Sequence, residues 1–171
     1  STGIDVTGNI ANTSGDFTLD VAGDITLDAD GGNILLKDGG TQFGEFDFDS
    51  NDLRIKSVQQ DKDIIFRGND GGTYLNALTL DMSAAGEATF NDDINLGDGK
   101  RLRMGAGGDF EIFHDGSHNY IKGATGDQDI LFQGVDGSSA ITALTLDMSD
   151  AGTALFNHKV DIATIGQLAN V

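Results

Sequence analysis

Ala77-Leu78-Thr79-Leu80-Asp81-Met82-Ser83 recurs residue for residue as Ala143-Leu144-Thr145-Leu146-Asp147-Met148-Ser149. In both stretches the apolar side chains fall at every second position, at 78, 80 and 82 and again at 144, 146 and 148. A period of two puts them on one face of a β-strand, whereas a helix would need spacings of three and four. The match extends outward. Residues 61–96 align without a gap onto 127–162, a shift of 66 positions, with 19 identities among 36. The shared positions include the alternating Ile64/Phe66 and Ile130/Phe132, the Asp70-Gly71 and Asp136-Gly137 pairs, and the closing Phe90-Asn91 and Phe156-Asn157. Upstream, Ile55-Lys56 and Ile121-Lys122 fit the same shift. A module has been duplicated, and what the duplication preserves is strand pattern and turn chemistry.

A shorter repeat occupies the start of the chain. Gly15-Asp16-Phe17-Thr18-Leu19-Asp20 returns eight residues later as Gly23-Asp24-Ile25-Thr26-Leu27-Asp28, and more loosely as Gly32-Asn33-Ile34-Leu35-Leu36-Lys37. Each copy predicts a strand with Phe17/Leu19, Ile25/Leu27 or Ile34/Leu36 on one face. Strands this short bury little alone, and stacked copies share a core only by repetition. The chain therefore divides into a short-repeat β segment at 1–42, a first β module at 43–108 and its duplicate at 109–171.

Composition agrees. Of 28 acidic residues only Glu45, Glu87 and Glu111 are glutamate, and the rest are aspartate, which favours turns over helices. There are 25 glycines, and no proline, cysteine or tryptophan among 171 residues. Asp-Gly pairs stand at 30–31, 38–39, 70–71, 98–99, 115–116 and 136–137, the dipeptide suited to tight antiparallel reversals. One hairpin reads from Phe110–His114 through Asp115-Gly116 to Asn119–Lys122, and another from Ile64–Phe66 to Leu78–Leu80 across a longer Gly-rich loop. Helix is expected at most in short pieces, near Ser83–Ala85 or within Ile165–Ala169. The fold class is all-β, built as an elongated repeat-containing fibre or as sandwich-like modules.

The formal net charge of -18, from 10 basic and 28 acidic residues, excludes a nucleic-acid binder working through backbone phosphates. Without cysteine there is no disulfide, thiolate metal site or thiol nucleophile. No apolar run approaches the roughly 20 residues of a membrane-spanning helix. No signal-peptide pattern opens the chain, so Ser1 reads as the start of a mature chain or of a fragment. The thin apolar content, spread over many short strands, predicts exposed strand edges that association with identical chains would cover. The charge would then lie outside and keep a long surface soluble.

Gly108-Asp109-Phe110-Glu111-Ile112-Phe113-His114-Asp115-Gly116-Ser117-His118-Asn119-Tyr120, followed by Ile121, resembles the G-S-D-L-Q-I-Y-H-D-G-S-N-S-Y-I motif of tail-fibre and related structural proteins of marine bacteriophages. Thr2-Gly3-Ile4-Asp5-Val6-Thr7-Gly8, Asp61-Lys62-Asp63-Ile64-Ile65-Phe66 and the Leu78–Ser83 block resemble other phrases of the same family. The resemblance implies an intertwined homotrimer on a virion, outside the cell, whose partners are itself, other virion structural proteins and a host-surface glycan or protein. Family members are usually much longer than this chain.

Candidate chemistry is sparse. His114 and His118 flank a predicted turn and His158 stands where the first module has Asp92, so no helical metal pair forms. Some trimeric fibres hold a metal on their axis with three copies of a His-x-His pair, which this sequence lacks. Asp28-x-Asp30, Asp47-x-Asp49 with Asp52, Asp61-x-Asp63 and Asn91-Asp92-Asp93 carry oxygen ligands of the kind calcium takes, without the EF-hand spacing. Gly68-Asn69-Asp70-Gly71-Gly72 is a single incomplete echo of the glycine-rich calcium nonapeptide. These aspartates read as turn residues. No set of nucleophile, base and oxyanion donors can be assembled, and two tyrosines give a poor platform for sugar. The expectation is a protein with no catalytic, cofactor or metal site, whose function is self-assembly through Phe66, Leu78, Leu80, Met82 and Phe90 and their duplicates Phe132, Leu144, Leu146, Met148 and Phe156. The alternatives are a polymerising cell-surface filament or adhesin subunit that donates Ser1 to about Gly15 as a strand, and a polysaccharide-degrading spike.

Overall fold

A computed structural model describes residues 6–161, as twelve strands with no helix among those residues. The strands form four separate three-stranded antiparallel meanders, each in the order of the sequence. The chain divides into two units, Ser1–Asp93 and Ile94–Val171, each holding two of the meanders. The first unit contains β1 (Asn33–Asp38), β2 (Thr41–Asp49) and β3 (Asp52–Ser57), then β4 (Ile64–Asp70), β5 (Thr73–Asp81) and β6 (Glu87–Phe90). The second contains β7 (Arg101–Met104), β8 (Phe110–His114) and β9 (Asn119–Gly123), then β10 (Ile130–Asp136), β11 (Ser139–Asp147) and β12 (Thr153–Phe156).

The shift of 66 carries β4, β5 and β6 onto β10, β11 and β12 with identical ends. It also carries the β2-β3 ladder onto β8-β9, where sequence identity has largely faded, but not the β1-β2 register: Leu36↔Gly44 would become Leu102↔Phe110, whereas Leu102 pairs Ile112. Phe46↔Ile55 becomes Ile112↔Ile121, and Glu45↔Lys56 becomes Glu111↔Lys122. One backbone bond marks all four meanders. An N–H just past the third strand donates to the carbonyl next along the ladder on the second-strand side: Val58 to Phe43, Asn91 to Ala77, Ala124 to Asp109 and Asn157 to Ala143. The chain is four variations on one meander.

The turns follow from backbone sterics. Asp70 pairs Thr73, so the reversal consists of Gly71 and Gly72 alone, with φ of 57° and 95°. Two successive positive φ values match the twist of the strands, and glycine adopts them without strain. The Gly-rich stretch predicted as a long loop is therefore strand up to Asp70, and the loop is two residues long. The 110–114/119–123 hairpin forms as predicted, with His114 opposite Asn119. Ser83–Ala85 lies in a five-residue turn closed by Gly86 N–H on the Asp81 carbonyl at 2.7 Å, so no helix forms there. Ile165–Ala169 lies outside the described residues.

Two expectations are corrected. Of the three short-repeat copies only Gly32–Lys37 becomes a strand, as β1, because β2 supplies its hydrogen-bonding partner. The copies at Gly15 and Gly23 have none and form no strand. Nor do all the charges lie outside. Glu45, Asp47 and Glu111 are buried, and no apolar side chain among the described residues is.

That inversion is the central fact of the fold. The chain leaves 14569 Å² accessible, against about 8,000 Å² for a compact monomer of this mass and about 9,700 Å² for two separate domains of half the mass. Within each unit, strand packing is essentially that of the ladders, and the meanders do not cover one another's faces.

Candidate functional site

Every meander has one apolar face. In β4-β5-β6 the cross-strand rows Ile64–Leu80–Ala88 and Phe66–Leu78–Phe90 share a face, since residues paired directly across a ladder point the same way. The second unit repeats the rows as Ile130–Leu146–Ala154 and Phe132–Leu144–Phe156. The first meander presents Ile34–Phe46–Ile55 beside Leu36, Phe48 and Leu53, and the third presents Leu102–Ile112–Ile121 beside Met104 and Phe110. The predicted assembly residues Phe66, Leu78, Leu80 and Phe90 and their duplicates thus converge on like faces of like sheets, while Met82 and Met148 lie in the turns that follow the middle strands. In the single chain they form no core: Phe66 is 50% exposed, Phe90 46%, Phe132 46% and Phe156 51%.

The opposite faces of the first and third meanders are ionic. Glu45 stands at the centre of β2 and receives Lys56 Nζ at 2.5 Å on Oε1 and Gln42 Nε2 at 2.8 Å on Oε2. Asp47, two residues along, has Lys56 Nζ at 2.6 Å and Arg54 at 2.5 Å on the same oxygen, and Arg54 reaches Asp49 at 2.8 Å. The Lys56 ammonium holds both the Glu45 and the Asp47 carboxyl below their ordinary ranges, and these two acids raise Lys56 in turn, Asp47 more strongly. In the third meander Glu111 lies among Arg103 at 3.0 Å, Arg101 at 3.2 Å and Lys122 at 3.9 Å. Long basic side chains lie across the acids and shield them, which is why carboxylates are the buried groups. The sequence reading missed this network. The signal was available: two of the three glutamates are related by the 66-residue shift, each with a lysine eleven residues on.

Several candidate ligands are otherwise engaged. Asp81 Oδ1 accepts from Ser83 N–H at 2.9 Å, Ser83 Oγ at 2.7 Å and Ala84 N–H at 3.0 Å, which lowers its pKa, the Ser83 hydroxyl contributing most. Asp147 is lowered chiefly by Ser149 in the same way. Asp63 and its duplicate Asp129 each accept a methionine N–H, from Met82 and Met148. Asn69 caps the Gly72 N–H within the hairpin, and Asp92 bonds the Asp93 N–H. Asp28, Asp30, Asp52 and Asp61 are exposed.

Around the 115–118 turn, Asp115 accepts from the Ser117 and His118 N–H groups and from the Tyr120 hydroxyl, each at 2.8 Å. These bonds, His118 N–H foremost, lower Asp115, and Asp115 raises the Tyr120 phenol. Tyr120 stacks on Phe113 with centroids 4.5 Å apart, and the Arg101 guanidinium covers the other ring at 4.3 Å. His114 Nδ1 lies 3.0 Å from Asn119 Oδ1, His118 Nδ1 lies 3.9 Å from Asp115, and His158 is exposed. Among the described residues, no three histidine, aspartate or glutamate side chains converge as metal ligands. No helix of the described chain is long and apolar enough to cross a membrane. No family model, curated protein or solved structure matches this chain.

Proposed function

We propose that the chain is a non-enzymatic structural protein of a virion fibre, which assembles with identical copies into a β-rich homotrimer that supports or makes attachment to a host surface. The observation that carries this reading is the inversion of burial: four sheets each hold an apolar face, and no apolar side chain among the described residues is buried within the chain. Covering such faces with copies of themselves removes apolar area from water at about 25 cal/mol per Å². Like faces recurring at a fixed offset suit a symmetric assembly, because each row meets its own equivalent. The virion setting is supported by the resemblance around Phe110–Tyr120. Asp47, Asp49, Asp63, Asp81, Asp115, Asp129 and Asp147 are committed to turns and ion pairs, which favours scaffolding over hydrolysis.

Host contact would then draw on multivalency, where several weak sites raise avidity by roughly 10²- to 10⁴-fold. A second reading, a cell-surface filament subunit with a donated N-terminal strand, is favoured by the unpaired stretch before β1. Deleting residues 1–14 separates the two, because it abolishes polymerisation in the filament and leaves the trimer largely intact in the fibre. Electron microscopy of the assembled protein tests the leading reading. Discrete rods of uniform length are expected, and open filaments of variable length would replace it with the second. Release of reducing ends from host polysaccharide would instead establish the degrading spike.

A further inference from the structure

The phrase Gly-Asp-Phe-Thr-Leu-Asp and its variants occur three times before residue 38, and only one copy is folded as a strand. The difference is the partner. Asn33–Asp38 pairs with β2, which places Ile34 opposite Phe46 and Leu36 opposite Gly44 on the apolar face of the first meander. The copies at 15–20 and 23–28 carry the same alternation, yet their apolar residues are bare: Phe17 59%, Leu19 55%, Ile25 53% and Leu27 63% exposed. Among the described residues no backbone–backbone hydrogen bond joins residues 6–28 to anything. So long a run of unpaired, strand-patterned backbone is a template for another chain. The occupant is identified by continuity. Leu27 lines an open apolar groove with Ile34, Phe46, Phe48 and Leu53, so the second copy already runs into the face that the assembly covers.

We infer that residues 15–20 and 23–28 are strands completed only between chains, each pairing with the same phrase in another copy of this protein and extending the apolar face of the first meander. The inference rests on the assembly reading above and adds where that assembly gains backbone hydrogen bonds. Glycine at the head of each phrase lets the chain turn between successive strands. The aspartates at 16, 20, 24 and 28 stay at the strand ends, in water.

Amide hydrogen exchange on the full chain tests it, at a concentration where sedimentation gives the oligomer and at one where it gives the monomer. The inference expects amides within 15–28 to exchange about tenfold or more slowly in the oligomer than in the monomer. An oligomer in which β4 and β5 are protected while 15–28 exchange as in the monomer would overturn this inference and leave the assembly reading standing. A chain that is monomeric at every concentration would overturn both. As a second arm, Phe17→Asp/Ile25→Asp should lower the melting midpoint of the oligomer, and Thr18→Asp/Thr26→Asp, on the other face, should lower it less. Equal effects would contradict the strand assignment.

Discussion

Glu45 and Glu111 occupy the same place in two copies of one meander, each on the middle strand, with Lys56 or Lys122 directly across the ladder. Both are buried while the apolar residues on the opposite face, such as Phe46 and Phe48 in one meander and Leu102 and Ile121 in the other, are exposed, so each of these sheets is finished on its ionic side and unfinished on its apolar side. The ionic side holds a single chain in register. The apolar side has no cover within the described chain.

Removing Lys56 isolates the ionic side. In the folded chain Lys56 depresses the Glu45 and Asp47 carboxyls from their ordinary values of 4.5 and 3.8. A carboxyl depressed on folding adds stability that is complete above its ordinary pKa and is lost as pH falls through the lowered one. Lys56→Met should therefore melt several degrees below wild type above about pH 5, and the two melting curves should converge in acid below 3.8. Parallel curves down to pH 2 would show that Lys56 acts through packing alone.

The two faces of β4-β5-β6 should respond oppositely to charge. Phe66→Asp or Leu80→Asp places an uncompensated carboxylate in the covered interface, at a cost of several kcal/mol per chain, and should yield monomers. Thr89→Asp, on the other face beside Thr79, should sediment like wild type. Dissociation by Thr89→Asp alone would reverse the assignment of faces.

Assembly should strengthen with salt. Each chain carries a formal charge of -18, so a trimer carries three times that, and its repulsion is screened as the Debye length falls from about 10 Å at 0.1 M to about 3 Å at 1 M. The concentration needed for half-assembly should drop several-fold over that range, read by sedimentation. A rise would mean that ion pairs between chains hold the interface.

The Gly71-Gly72 reversal should be intolerant of side chains. Gly72 has φ of 95°, which an L-residue occupies only under strain. Gly72→Val should cost roughly 1–3 kcal/mol, measured by chemical denaturation. Gly97→Ala, with no positive φ and no atom within 4 Å of the added Cβ, should cost far less.

The sequence was most legible where one interaction dominated. Alternation at 64 and 66 and at 78 and 80, with its duplicate, announced β4–β5 and β10–β11, and Asp115-Gly116 announced its hairpin; β6 and β12 were not read as strands. Asp70-Gly71 located a reversal but misled on its length, because Asn69 and Asp70 are poor strand formers that pairing with Tyr74 and Thr73 keeps extended. The kinship of β2–β3 with β8–β9 showed in the sequence only as Ile55-Lys56 and Ile121-Lys122, because a ladder needs only apolar-for-apolar exchange, such as Phe46 for Ile112. The buried acids went unread because net charge says nothing about which carboxylates meet a cation. The strands expected at Phe17 and Ile25 find no hydrogen-bonding partner within the described residues.

The most direct test of the central claim is the solution mass by sedimentation equilibrium at neutral pH and micromolar concentration, with far-ultraviolet circular dichroism on the same sample. The account predicts a β spectrum at about 54 kDa, three times the chain mass of 17.9 kDa. A cooperatively melting β protein at 17.9 kDa would contradict it, because a single chain would then be stable with its apolar faces bare.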